Sequence, residues 1–174
     1  MWMQLESVSK SPFGSKKLKW VLRPVLSTRM KVGLVAGCLV LVACAGHKFE
    51  RSFISQVPAR DRVDRLRQYS LEDQYRIYRY GNDCIEPPLM DLAEPIAERG
   101  ATAVPFLLAK LDLKADDMTV RDVLGIFHMM AYVKAYNVKA DTLVMGALRA
   151  RLSTMKDAEW KRICSKTLQS IEEN

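Results

Sequence analysis

Residues 30–44 constrain this chain more than any other segment, because they separate a leader from the part that can form a hydrophobic core. Lys31 supplies a positive charge, residues 32–43 form an apolar run, and small residues lead into Cys44. This order of features is the layout of a secretory signal peptide. Roughly 130 residues follow Cys44, which is enough for one domain with a core.

Two other interpretations of the apolar run stay open. A transmembrane helix needs roughly 20 apolar residues, which is more than residues 32–46 provide, so an uncleaved anchor is one alternative. A buried core helix is the other, although its three glycines would each cost about 1 kcal/mol relative to alanine. The earlier cysteine, Cys38, follows only residues 32–37 after the lysine, which is shorter than the signal-peptide core of roughly 7–15 residues.

The end of the run, Leu41-Val42-Ala43-Cys44, resembles the lipobox of bacterial lipoproteins. The resemblance implies that residues 30–43 are a lipoprotein signal peptide, that Cys44 is acylated, and that the peptide before it is removed. It also implies a protein anchored through lipid to a membrane of the bacterial cell envelope. Ala45, rather than aspartate, implies the periplasmic face of the outer membrane in a cell with two membranes.

Residues 1–29 carry basic residues without a stripe of helical period. Residues 1–43 hold seven basic residues and one acidic residue, so six of the seven net positive charges belong there and the remainder has a net charge of +1. We expect residues 1–29 to be a disordered basic extension. Either Met30 is the true start, or the extension is a long cytoplasmic region that fixes orientation. The near-neutral remainder gives no reason to expect a nucleic-acid partner.

After Cys44, the apolar residues follow helical rather than strand period. Residues 44–59 are polar and contain Pro58, and they are predicted to be a lipidated tether. Residues 60–174 are predicted to form an all-α domain, a stack of about five to six helices. The pattern shows no convincing alternating strand.

Several residues predict where the helices begin, bend and end. Ser70 and Asp73 form a capping box at a helix start, and Gly81 with Asn82 is expected to end that helix. Pro95 is expected to kink the next helix.

Two further start signals follow along the chain. Pro105 is expected in the first turn of its helix, where it does little harm. Thr119 and Asp122 form a second capping box at the start of another helix. The last two helices are predicted over residues 141–152 and 158–171.

Residues 89–130 resemble a HEAT repeat. The pattern has Gly100, then Ala-Val-Pro-Phe-Leu-Leu-Ala-Lys-Leu, then an aspartate and Val-Arg at the start of the next unit. It covers about a quarter of the chain and shows one good unit, whereas a solenoid needs at least about three. The resemblance implies a HEAT-like (armadillo-like) helical stack that acts as a non-catalytic protein-binding scaffold, with Asp117 and Arg121 linking neighbouring repeats.

The sequence has few residues in arrangements typical of catalysis or metal binding. His128 lies at the edge of an apolar stripe and is predicted to be a half-buried core histidine rather than a base. We expect no catalytic residues, no cofactor and no metal site. Removal of the signal peptide leaves Cys84 and Cys164 beside the lipidated cysteine, and in an exported protein they could form a disulfide. Such a bridge would contribute about 4 kcal/mol; the alternative is that Cys164 is a buried free thiol.

A tyrosine and arginine cluster precedes Gly81. Because these residue types are frequent in binding hot spots, the cluster could be an interaction surface, or it could cover the core of the first helical pair. Its members are Tyr69, Tyr75, Tyr78, Tyr80, Arg76 and Arg79.

Three functions are compatible with these patterns. The first is a lipid-anchored envelope scaffold or adaptor with a protein partner. The second is an uncleaved single-pass membrane protein with the helical domain outside the cytoplasm. The third is an envelope enzyme whose site the sequence does not reveal.

Overall fold

The computed structural model describes residues 47–112 and 114–173, and in this part of the chain all regular structure is helical, which confirms the all-α prediction. The leader, the lipobox residues and Cys44 lie outside the described residues. The eight α-helices of the described part are α1 (Lys48–Gln56), α2 (Arg62–Leu66), α3 (Leu71–Cys84), α4 (Glu94–Ala97), α5 (Val104–Lys110), α6 (Asp117–Tyr132), α7 (Thr142–Thr154) and α8 (Ala158–Glu173). Short 3-10 segments lie at Ala59–Asp61, Met90–Ala93, Gly100–Ala103 and Val138–Ala140.

Helix α6 is the centre of the stack. It packs most extensively against α8, and it also contacts α4, α5 and α7. Its side chains Val123, Ile126, Phe127 and Met130 are completely buried, which few surface helices show. Because one helix is buried on several sides, the buried residues form a single continuous core.

Helix α1 corrects the predicted domain boundary at residue 60. Residues 48–56, which the sequence assigns to the tether, form a helix that packs against α3. Its inner face buries Phe53 and Ile54 in the core, while the exposed positions carry polar side chains and Phe49. Only two of the nine residues of α1 are apolar and buried in the core. The composition of the segment therefore resembles that of a polar tether.

The start of α3 is predicted correctly and its end is not. Ser70 is the N-cap, and its hydroxyl accepts a hydrogen bond from the Asp73 N–H. The helix continues through Gly81 to Cys84. Gly81 has a different purpose: a Cβ there would lie 2.9 Å from Leu92 Cδ1 and 3.2 Å from Leu89 Cβ, so the glycine lets the following segment pack closely.

Pro95 does not kink a helix. The segment before it is the 3-10 turn Met90–Ala93, and α4 begins at Glu94, which places the proline in the first turn. A proline there loses no helical hydrogen bond, because the first N–H groups of a helix have no intrahelical partner. Pro105 has the predicted position in the first turn of α5.

Helix α6 starts one turn earlier than its predicted capping box. Asp116 is the N-cap, and its carboxylate accepts a hydrogen bond from the Thr119 N–H. Hydrogen bonding from the Thr119 side chain, together with that from the Thr119 N–H, lowers the pKa of Asp116 because it stabilises the ionised form. Asp122 therefore lies inside the helix, where it is fully buried.

The number of helices exceeds the predicted five to six. Helix α1 was not predicted, and α2 and α4 are short, with five and four residues. Among the described residues, no helix has the length and apolarity needed to cross a membrane.

Two glycines in helices give a matched test of this packing. We expect Gly81→Ala to lower the free energy of unfolding by about 1–3 kcal/mol, since the methyl group overlaps Leu92 and Leu89. Gly146→Ala in α7 meets nothing within 4 Å and should raise the free energy of unfolding by up to about 1 kcal/mol through helix propensity. Urea denaturation followed by circular dichroism measures both. Equal effects of the two substitutions would contradict the close approach at Gly81.

Candidate functional site

A cleft of about 730 Å³ lies between α1, α3 and the segment that follows α5. One wall is a single face of α3, whose residues recur at three- and four-residue spacing along the helix. The other walls come from the start of α1, the end of α5 and the loop before α6. The side chains that line the cleft include Glu50, Glu72, Tyr75, Arg76, Arg79, Tyr80, Asp83, Cys84, Lys110, Asp112 and Lys114.

Arg76 joins the α3 wall to α1. Its Nη2 lies 2.7 Å from Oε1 of Glu50, a side chain that is 97% buried. The second oxygen of Glu50 has no hydrogen-bond partner, and Nδ1 of His47 lies 4.0 Å from it. Arg76 also lies over the ring of Phe49 at 5.6 Å. A buried acid on α1 is thus held by one arginine at the edge of the cleft.

Lys110 closes the opposite side of the cleft. Its amine lies 4.7 Å from the centre of the Phe106 ring and 5.3 Å from that of Tyr75, and it donates to both carboxylate oxygens of Glu72. The two rings are perpendicular with their centres 5.6 Å apart. A cation held over two rings and paired with an acid is well ordered, so this part of the cleft has a defined shape.

Below the cleft, a buried ion network joins α3 to α6. Oδ1 of Asp122 accepts hydrogen bonds from Arg121 and from Asn82 Nδ2, the latter at 3.1 Å. Its Oδ2 lies 3.2 Å from Arg79 Nε, in ion-pair contact without the alignment of a hydrogen bond. Arg79 and Arg121 both also contact Asp83 at the cleft surface. The network therefore runs from the core to the wall of the cleft.

Burial and charge act on this network in opposite directions. Burial raises the pKa of Asp122, and its contacts with Arg121 and Asn82 only partly oppose that effect. For Arg121, burial lowers the pKa, but Asp122 and Asp83 outweigh it and the pKa is raised. The N–H donors of Arg121, Asn82 and Arg79 favour the ionised form of Asp122, whereas burial and the charge of Asp83 oppose it.

The tyrosines of the cluster divide between core and cleft. Tyr75 and Tyr78 are buried, as the core interpretation predicts, and burial raises the pKa of each. The Tyr78 hydroxyl donates to the Asp122 carbonyl, whereas the Tyr75 hydroxyl has no hydrogen-bond partner. Tyr69 and Tyr80 are partly exposed, and Tyr80 lines the cleft beside His47.

Asp117 and Arg121, which are predicted to link neighbouring repeats, contact different partners. Asp117 accepts hydrogen bonds from the N–H groups of Lys156 and Asp157, so it links α6 to the start of α8. Arg121 contacts Asp83 of α3, and its guanidinium lies 4.9 Å from the centre of the Trp160 ring of α8. Each residue links neighbouring helices, but through separate contacts.

Cys84 and Cys164 are free thiols in this structure, so the possible disulfide between them is not formed here. Cys84 is exposed at the end of α3, while Cys164 is buried on the face of α8 that packs in the core. Burial raises the pKa of Cys164 to about 11. Burial and the charge of Asp83 also raise the pKa of Cys84, which keeps it a thiol at neutral pH and makes it a weak nucleophile.

Other candidate groups have ordinary surroundings. His128 is half-buried, as predicted, and its Nε2 lies 3.2 Å from the Ser170 hydroxyl. Within residues 47–112 and 114–173, no cluster of three or more histidine, cysteine or acidic side chains could hold a metal ion. The cleft can bind a polar ligand through side chains of both charges and through exposed parts of aromatic rings.

Comparison with known proteins gives no match: no protein-family model, curated protein or solved structure is significantly similar to this chain.

Sequence reasoning missed the acids of the site. Glu50 lies in a segment predicted to be a tether, and Asp122 fits a capping box by spacing alone. One signal for Asp122 is present in the sequence, since it interrupts an apolar stripe formed by Val120, Val123 and Leu124. A charged residue at that position predicts a buried, paired group.

We expect removal of the buried Asp122 carboxylate to destabilise the domain strongly. Asp122→Ala leaves Arg79 and Arg121 without their buried partner, so we expect the free energy of unfolding to fall by about 3 kcal/mol. This value is the lower end of the range for breaking a buried ion pair, because Asp83 still pairs with both arginines. The control Asp91→Ala removes an exposed acid and should change it by less than about 0.5 kcal/mol. Chemical denaturation checks both. A loss of about 1 kcal/mol, as a capping residue gives, would contradict the buried network.

Proposed function

We propose that this chain is a lipid-anchored protein of the bacterial cell envelope whose helical domain binds a protein partner without catalysing a reaction. The observation that carries the proposal is Leu41-Val42-Ala43-Cys44 at the end of an apolar segment that follows a lysine. In a cell with two membranes, Ala45 favours the periplasmic face of the outer membrane. The HEAT-like pattern of residues 89–130 favours a scaffold.

The cleft supports the binding part of the proposal. Its lining combines tyrosine and arginine, the residue types that contribute most often to binding hot spots. Four basic and four acidic side chains line it, so its charge complements a polypeptide segment that carries both signs rather than a polyanion. Lys114 is exposed there and Tyr80 is partly exposed, so a ligand can contact both side chains.

The lipid anchor has a direct test with a matched control. Cells that express the protein should incorporate labelled palmitate into it, and Cys44→Ser should abolish the label, because the thioether needs sulfur. Cys38→Ser changes the other cysteine of the apolar run and should leave the label intact. Mass spectrometry should also find no peptide from residues 1–43 in the processed protein.

Label that survives in Cys44→Ser would contradict the lipid anchor. Intact leader peptides in an unlabelled protein would favour the uncleaved single-pass anchor instead.

Cys84 provides a handle for the partner, because its thiol is exposed on the cleft whereas Cys164 is 2% exposed. A thiol-reactive photo-crosslinker on Cys84 should give one discrete adduct in intact cells. Lys114→Glu reverses an exposed charge in the cleft and should reduce that adduct at least fivefold, whereas Lys166→Glu on α8 should leave it unchanged. Gel analysis and mass spectrometry measure the yield. An adduct equally strong in both variants would contradict binding in the cleft.

A further inference from the structure

A short length of chain connects the proposed anchor to the packed domain. Helix α1 begins at Lys48, directly after its N-cap His47. Only Ala45 and Gly46 lie between Cys44 and His47, so a fully extended chain of three Cα–Cα steps spans at most about 11 Å between the Cα atoms of these two residues. The headgroup layer of a leaflet is itself about 5–8 Å thick. A domain attached in this way has no tether and lies against the membrane surface.

The end of α1 nearest the proposed anchor carries two basic side chains. Lys48 and Arg51 are exposed, and no ion pair joins either side chain to another described residue. The acid of the same helix, Glu50, is buried and already paired with Arg76. Cations in the first turn of a helix oppose its macrodipole, so helix stability does not account for them. Both side chains are therefore accessible to an external anion.

An aromatic residue, Phe49, is adjacent to Lys48 in the sequence of this helix. Phe49 is 37% exposed and lies under the guanidinium of Arg76. A partly exposed ring beside cations is a common arrangement at the membrane interface, where the ring enters the headgroup region and the cations contact phosphates. His47 is exposed next to them and lines the cleft, so the cleft opens at the same end of α1.

We propose that the anchor-end surface, formed by His47, Lys48, Phe49 and Arg51, docks on anionic phospholipid headgroups of the leaflet that holds the acyl chains of Cys44. The proposal rests on the lipid anchor proposed above and adds a second contact with the same membrane. Its consequence is a fixed orientation, in which the cleft opens beside the membrane and receives its partner there. Each cation near an anionic surface strengthens membrane association about fivefold, so the pair contributes roughly 25-fold.

Lysine footprinting on the full acylated protein tests the orientation. The protein is reconstituted in vesicles of phosphatidylethanolamine with or without about one third phosphatidylglycerol, and acetylation rates of single lysines are measured by mass spectrometry. In anionic vesicles, Lys48 should react at least fivefold more slowly than in detergent, and the protection should weaken in high salt, which screens the headgroup charge. Lys166, an exposed lysine far along the chain on α8, is the internal control and should react equally in all samples.

A charge-reversal variant separates docking from simple crowding. Arg51→Glu keeps the anchor and the core, because Arg51 is exposed, and it should remove most of the protection of Lys48. The matched variant Arg162→Glu on α8 should keep it, since Arg162 is exposed and paired with Glu159 of its own helix.

The outcomes distinguish this inference from the lipid anchor. If mass spectrometry finds the acyl chains on Cys44 but Lys48 is not protected from acetylation in anionic vesicles, the docking surface is overturned and the lipid anchor is not. Protection that is equal in neutral and anionic vesicles, or unchanged by Arg51→Glu, also overturns it. Absence of acyl mass on Cys44 overturns the anchor and the docking surface together.

Discussion

The arrangement of this domain depends on the buried carboxylate of Asp122. It lies on α6, the helix around which the others pack, and it accepts from or contacts Asn82 and Arg79 of α3. Arg121 extends the same network to Asp83 and places its guanidinium over Trp160 of α8. One negative charge therefore holds together three helices and the wall of the cleft. A buried charge is stabilising only when its partners are all present, so the position of α3 on α6 is closely defined.

The fold class and several local features could be predicted from the sequence, because they depend on neighbouring residues. Helical period, the Ser70 cap and the position of Pro105 are all of this kind. The end of α3 could not, since Gly81 is required by Leu89 and Leu92 rather than by a turn. Where a residue has both a local and a tertiary use, spacing alone does not distinguish them.

In the candidate site too, the sequence reveals local features but not those that depend on tertiary contacts. The tyrosines and arginines of α3 are visible in the sequence as a cluster, and they form one wall of the cleft. The opposite walls come from α1 and from Lys110, which are 20 to 40 residues away in the chain and reach α3 only in the folded domain. Helix α1 also changes the interpretation of the anchor, because a segment predicted to keep the domain away from the membrane is part of the domain.

A double-mutant cycle between Asn82 and Asp122 tests most directly whether the carboxylate joins α3 to α6. The free energies of unfolding of Asn82→Ala, Asp122→Ala and the double variant are compared with that of the wild type. The network predicts a coupling energy of about 0.5–3 kcal/mol, since the second substitution removes a contact that the first has already broken. Additive effects within about 0.3–0.5 kcal/mol would show that the two residues act independently and would contradict the account.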